Sequence, residues 1–200
     1  HASGFGNPLP EDETRAVMLI RINSLLKGVS GIRLSTIELL LEMLNRNVVP
    51  FIPEKGSLGA SGDLAPLAHM VLPMLGLGKA YYEGELLPGK VAMEKAGLKP
   101  IALAAKEGLA LINGTTVLTA TGALALYDAL QLSKIADIAG AMACESSRGI
   151  IDAFWEELHT IRPHAGSLKT AENLRNILEG STYVTPVSYT HLTLPTTPYV

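Results

Sequence analysis

Cysteine, aromatic residues and charge are all scarce in this 200-residue sequence. The only cysteine, Cys144, excludes a disulfide bond within the chain, and we therefore expect a cytoplasmic protein. Charged residues make up 18% of the chain and the net charge is -3, without a basic block, which argues against nucleic acid or anionic lipid as a partner. No uninterrupted apolar run approaches the ~18 residues that a membrane-spanning helix needs, so we expect no membrane partner either.

The two ends of the sequence lack the features of a complete protein. The first residues, His1-Ala2-Ser3, include neither an initiator methionine nor a secretory signal, which predicts an internal fragment that begins mid-protein. At the other end, residues 187–200 resemble a translated sequencing adaptor and depart from the helical pattern before them. We predict that this tail is not native and that residues 1–186 are; a short edge strand rich in Thr and Tyr is the alternative.

Apolar residues at three- and four-residue spacing predict a mainly α fold, with Gly, Pro or Asn at the joints. Ser35, followed three residues later by Glu38, predicts a capping box at the start of the second helix. One small hairpin is expected at residues 79–87, where two apolar pairs flank Glu83-Gly84-Glu85. The predicted helices cover residues 11–27, 35–44, 63 onward, 115–146, 150–160 and 168–179, and the fourth is a long bundle helix.

The segment Ala60-Ser61-Gly62 lies between glycines and precedes a helix that begins near Asp63. Gly62 lacks a Cβ, so its backbone nitrogen could approach the carbonyl carbon of Ala60 in a very tight turn. Ring closure with loss of two waters, one of which carries the Ser61 hydroxyl, would give a methylidene-imidazolone cofactor without a metal. The alternative is a flexible turn in which Ser61 or Asp63 caps the next helix.

The whole block from residue 56 to 69, GSLGASGDLAPLAH, resembles the cofactor-forming signature of the aromatic amino-acid ammonia-lyases. Residues 22–33 resemble a second block of that family, and Asn113-Gly114-Thr115 resembles a third. The resemblance implies a long-helix bundle of the fumarase/aspartase-like type, a homotetramer with shared active sites, and Asn113 as a residue that binds substrate and cofactor. An ordinary Asn-Gly turn between two helices is the alternative for Asn113.

The resemblance also bears on the substrate, which is expected to be a small molecule, namely a free amino acid. His1 precedes Ser3-Gly4-Phe5-Gly6 at the position where histidine-acting members of the family have the His that faces the substrate side chain. This implies elimination of ammonia from L-histidine to give trans-urocanate in histidine catabolism. A phenylalanine or tyrosine ammonia-lyase, an aminomutase and a non-catalytic helical scaffold remain alternatives.

The resemblance assigns the catalytic base to an upstream tyrosine and further substrate-binding residues to downstream sequence, so this polypeptide alone is expected to be inactive. His69 is interpreted as structural. His159 and His164 have no carboxylate or cysteine at metal-ligand spacing, so no metal site is expected.

Overall fold

The computed structural model describes residues 3–184 and confirms a mainly helical fold. The chain divides into two compact units, residues 1–126 and 127–200, with the boundary inside the longest helix. The helices are α1 Glu11–Leu25, α2 Leu34–Asn45, α3 Leu64–Val71, α4 Gly89–Lys95, α5 Glu107–Ile112, α6 Thr116–Ser146, α7 Glu156–Thr160 and α8 Ala165–Leu178. The strands are β1 Phe5–Pro8, β2 Val49–Pro50, β3 Pro53–Lys55, β4 Lys79–Tyr82 and β5 Glu85–Pro88.

The first unit is built around one hydrophobic core. Helix α1 contributes a buried face of Val17, Met18, Ile22 and Leu25, whose positions recur once per helical turn. Five of the six methionines of the chain are fully buried in this core, where their flexible side chains fill irregular space. The other fully buried large apolar side chains of the core include Leu40, Ile52, Leu67 and Leu111.

The predicted hairpin is confirmed as β4 and β5, which pair antiparallel with Tyr82 opposite Glu85. Glu83 and Gly84 both have positive φ angles, of 50° and 80°, as a two-residue turn between twisted strands requires. The other three strands, β1, β2 and β3, were not predicted from the sequence. Strand β2 joins the hairpin as a third strand, and β1 pairs antiparallel with β3.

The second unit has a much smaller core. Ala141, Leu174, Leu178 and Val184 form its buried cluster, and Asn173 Nδ2 donates to Asp137 Oδ2 over 2.7 Å. The predicted helix over residues 150–160 is wrong as a single element, because Trp155 is extended (φ -58°, ψ 140°) between a 3₁₀ helix, Ile151–Phe154, and α7. The predicted tail at residues 187–200 lies outside the described residues, and its origin stays a prediction.

The predicted capping box of α2 is also wrong. The helix begins at Leu34, its N-cap is Arg33, and no side-chain cap hydrogen bond forms there. Instead, the Arg33 backbone N–H and the Thr36 hydroxyl donate to Oε1 of Glu107, over 3.0 and 2.9 Å. A carboxylate from a distant part of the chain therefore supplies the acceptor at this helix start.

Helix α6 qualifies the expectation about membranes, which considered only uninterrupted apolar runs. By length and composition, residues Glu107–Ser146 include one helix apolar enough to cross a membrane, and 22% of its most apolar window is buried. Most of the apolar surface of this helix is therefore uncovered within residues 3–184. The same length and composition also occur in buried core helices of soluble proteins.

Candidate active site

The loop predicted to form the cofactor connects β3 to α3 in the first unit. Residues 59–62 form a continuous bend, and Gly56, Gly59 and Gly62 have φ angles of 137°, 98° and 71°. These values lie in the region that side chains with a Cβ rarely adopt, so the glycines are required by the path of the backbone. Ala60 is exposed and Ser61 is half-buried, which leaves the tripeptide accessible at the surface of residues 3–184.

Ser57 closes the loop on itself. Its hydroxyl donates a hydrogen bond to the carbonyl oxygen of Gly62, five residues later. A Cβ at position 62 would lie 2.9 Å from the Ser57 Oγ and would displace the hydroxyl that holds the loop, and the φ angle of 71° favours glycine independently. The turn around Ser61 is therefore tight and held across its base.

Asp63 anchors the end of the loop to the start of α6. Its side chain is buried, and Oδ2 accepts hydrogen bonds from the backbone N–H groups of Val117 (2.7 Å) and Leu118 (3.3 Å). These two donors belong to the first turn of α6, where they have no partner within the helix. The sequence analysis considered Asp63 as a cap of the helix that follows it, but its carboxylate caps α6 instead.

Asn113 directly follows α5 and lies three residues before the start of α6. Its backbone N–H donates to the Leu109 carbonyl over 3.0 Å, and its side chain is exposed with no hydrogen-bond partner among residues 3–184. Asp63 thus attaches the loop to the N-terminus of α6, and Asn113 precedes the same N-terminus in the sequence. The prediction for Asn113 is consistent with this arrangement but not tested by it.

The segment predicted to carry substrate specificity runs beside the base of the loop. The carbonyl oxygen of Ser3 would lie 2.7 Å from a Cβ at Gly56, and β1 pairs with β3 just before that glycine. His69 Nε2 would lie 2.8 Å from a Cβ at Gly4, and the same nitrogen is buried with no hydrogen-bond partner among residues 3–184. Burial lowers the pKa of His69, which favours a neutral packed ring. His1 lies outside the described residues.

The sequence analysis missed two buried charged residues near the site. Glu107 receives hydrogen bonds from the Arg33 guanidinium at 2.6 and 2.9 Å and from the Ala104 N–H at 2.6 Å. Its pKa is lowered, first by the hydrogen bond from Arg33, although burial opposes this. Arg21 is the second, and it contacts Asn113. The available signal was helical spacing, since Arg21 lies four residues after Val17 and four before Leu25, both buried.

Within residues 3–184, no three His, Cys, Asp or Glu side chains come together as a possible metal site. The groups that the site offers are therefore a tightly turned, glycine-rich backbone loop and the exposed carboxamide of Asn113.

Comparison with known proteins identifies the family of the chain. A family model of aromatic amino acid lyases matches residues 1–197. The chain belongs to the aromatic amino acid lyase family. Among the family's histidine ammonia-lyases, that of Streptococcus gordonii is 74% identical over 181 residues, which are 90% of this chain and 35% of the relative. That of Streptococcus pyogenes is 70% identical over 197 residues, 98% of this chain and 38% of the relative. The chain thus spans little more than a third of the length of these lyases.

Solved structures of the aromatic amino acid lyase family share the fold. Histidine ammonia-lyase from Trypanosoma cruzi aligns with a TM-score of 0.82 at 40% identity, covering 86% of this chain and 34% of that one. Pantoea agglomerans phenylalanine aminomutase aligns with a TM-score of 0.87 at 37% identity, covering 92% and 36%. Because a lyase and an aminomutase both align over most of the chain, the fold does not decide the reaction.

Proposed function

We propose that the full-length protein is a histidine ammonia-lyase, which eliminates ammonia from L-histidine to give trans-urocanate. The observation that carries the proposal is the identity of 74% and 70% with relatives named histidine ammonia-lyase. The phenylalanine aminomutase of known structure quoted above is 37% identical, and the Trypanosoma cruzi histidine ammonia-lyase is 40% identical.

We further propose that Ala60, Ser61 and Gly62 form a methylidene-imidazolone ring. In ring closure, the Gly62 nitrogen bonds to the Ala60 carbonyl carbon, whose oxygen leaves as water; the Ser61 hydroxyl then leaves with the Ser61 Cα hydrogen as a second water. The residues fit this group, because the loop is held closed by Ser57 and position 62 is a glycine at a φ angle that side chains rarely adopt. Once formed, the ring supplies an electrophile, which ordinary side chains do not provide.

The other residues of the proposed site bind and orient the substrate. Asn113 offers a carboxamide that both donates and accepts hydrogen bonds, and its side chain is free to do so. His1 is proposed to face the imidazole of the substrate, since one ring can donate where the other accepts. Support for His1 comes from the neighbouring residues, because Ser3 packs against Gly56 at the base of the loop.

Assembly and location are further parts of the proposal. We propose a cytoplasmic homotetramer, in which the exposed apolar side chains of α6 are covered by other parts of the full-length protein. Leu126, Leu130, Ile135 and Met142 are all exposed within residues 3–184, and exposed apolar side chains in this number are typical of a helix that other parts of a protein cover.

The first test measures the intact mass of the full-length protein. Wild type is expected to be lighter than its sequence by two waters, and Ser61→Ala should abolish the exocyclic methylene and lower kcat about 1,000-fold or more. Ser146→Ala, at an exposed serine on α6, serves as the control and should change neither mass deficit nor kcat. A wild-type protein without the deficit, or an active Ser61→Ala variant, would reject the cofactor.

The second test is a competition assay that measures urocanate, cinnamate and coumarate from equal amounts of the three amino acids. L-histidine is expected to be preferred, and His1→Leu should reduce that preference about ten- to a hundred-fold, because a polar ring then loses its partner. Faster cinnamate or coumarate formation by wild type would assign the site to phenylalanine or tyrosine, and β-amino acid products would assign it to an aminomutase. A protein with the ring but without any product would be a scaffold.

A further inference from the structure

Arg21 is buried in the first unit without a carboxylate partner. The side chain projects from α1, the residue is 5% exposed, and none of the salt bridges among residues 3–184 involves it. Burial lowers the pKa of Arg21, yet a guanidinium does not deprotonate in proteins. A buried charge of this kind needs strong hydrogen bonds in compensation.

Those hydrogen bonds all go to the turn that contains Asn113. Arg21 Nη2 donates to the Asn113 carbonyl over 2.8 Å and to the Ala110 carbonyl, and Nη1 donates to the Thr116 hydroxyl over 3.3 Å. The acceptors lie at the carboxyl end of α5 and at the first residue of α6. One planar cation therefore joins both sides of the turn, which a shorter or single-donor side chain cannot do.

Gly114 shows how closely the guanidinium packs on the backbone. A Cβ at this position would lie 2.7 Å from Arg21 Nη1, and the φ angle of Gly114 is 153°. The backbone between Asn113 and Thr115 is therefore held from one side by the cation, with no room for another side chain.

We infer that Arg21 is a positioning residue, which fixes the backbone of Asn113 so that its carboxamide faces the reacting groups of the site. Both backbone groups of Asn113 are engaged, the N–H by Leu109 and the carbonyl by Arg21. Its side chain alone remains free. The inference rests on the proposed role of Asn113. It states that Arg21 on α1 determines the direction in which the Asn113 side chain points.

A double-mutant cycle in the full-length protein tests the inference. Arg21→Met should lower kcat/KM about 10- to 100-fold in the wild-type background but less than about threefold in an Asn113→Ala background, because Arg21 acts through Asn113. Arg21→Lys keeps the positive charge but not the planar set of donors that joins both sides of the turn, and it should recover only part of the activity. Arg15→Met is the matched control, since Arg15 also lies on α1 and donates to the Leu44 carbonyl, away from the turn; it should stay near wild type.

Three results would overturn the inference: equal losses in both backgrounds, wild-type activity of Arg21→Met, or loss of the two-water mass deficit in Arg21→Met, which would mean an effect on ring formation. If Arg21→Met does not fold, the same cycle with Arg21→Lys decides by the same criterion of non-additivity. Failure of the proposed function has a different signature: wild type then lacks the mass deficit, or Asn113→Ala retains full turnover.

Discussion

The two units of the chain differ in how much of their apolar surface they bury themselves. In the first, large apolar side chains from α1, α2, α3 and the 3₁₀ helix Leu72–Leu75 are fully buried in a single core. In the second, the buried cluster has four residues, and Met142 on α6 is 65% exposed. The loop and Asn113 both belong to the first unit, so the proposed site is built on the part that packs by its own side chains.

This difference indicates that the two units contribute differently to the protein. The first unit fixes geometry, because its buried polar residues are tied into hydrogen-bond networks around the site. The second unit offers a long helix whose apolar surface is largely exposed within residues 3–184. Substitutions of the same type should therefore have unequal effects in the two units.

The largest difference is expected for leucine truncation. Leu67→Ala, in the core of the first unit, should lower the free energy of unfolding of the 200-residue chain by about 2–5 kcal/mol, because it leaves a cavity. Leu130→Ala, on the exposed face of α6 in the second unit, should change it by less than about 0.5 kcal/mol. Denaturant unfolding monitored by circular dichroism measures both. Equal losses would show that the second unit is as tightly packed as the first.

Glutamate neutralisation should sharpen the comparison. Glu107→Gln removes a buried carboxylate that accepts five hydrogen bonds and should lower the free energy of unfolding by about 2–3 kcal/mol. Glu172→Gln, in the second unit, disrupts only an exposed pair with Lys169 and should cost less than about 1 kcal/mol. The same unfolding experiment measures both variants. A larger loss of stability in Glu172→Gln than in Glu107→Gln would contradict the larger contribution of the buried carboxylate.

The contribution of Glu107 should also depend on pH in a defined direction. Its pKa in the folded chain lies below the ordinary value of 4.5, so folding favours the ionised form. The stabilisation is complete above the ordinary value and is lost as the pH falls below 4.5 toward the folded pKa. The difference in stability between wild type and Glu107→Gln should therefore shrink on acidification; a difference that grows below pH 4.5 would reverse the sign.

The smallest effect is expected for aspartate neutralisation. Asp63→Asn removes the negative charge that caps the N-terminus of α6 and should cost about 0.5–1 kcal/mol. Asp128→Asn is the matched change on the exposed surface of the same helix, beyond its first turns, and should cost close to nothing. Thermal unfolding of the two variants gives the comparison, and an Asp63 variant as stable as wild type would show that the cap contributes little.

Local sequence patterns predicted the structural elements that are determined by residues close together in the sequence. Glu83-Gly84 indicated the hairpin turn, and the proline-free run indicated α6, which begins one residue later than predicted. The glycines around Ser61 indicated the loop. In each case the residues that determine the structure are neighbours in sequence.

The missed features depend on contacts between distant residues. Glu107 replaces the expected Ser35 cap across 74 residues, and Arg21 reaches Asn113 across 92. A single sequence gives no pairing for such charges; it shows only that Arg21 falls on a buried helical face. The short strands β1 and β3 were missed for the same reason, since each is too short to have a pattern of its own and forms only through its partner.

The link between Asp63 and α6 has a consequence for the timing of maturation. During synthesis, the loop leaves the ribosome well before Val117, which lies 54 residues after Asp63. Until that helix start has emerged and folded, the carboxylate has no N–H groups to hold, and the tripeptide remains an ordinary flexible segment of nascent chain. The proposed ring closure would then follow tertiary folding rather than translation, and a protein that misfolds in this region would keep an unreactive backbone.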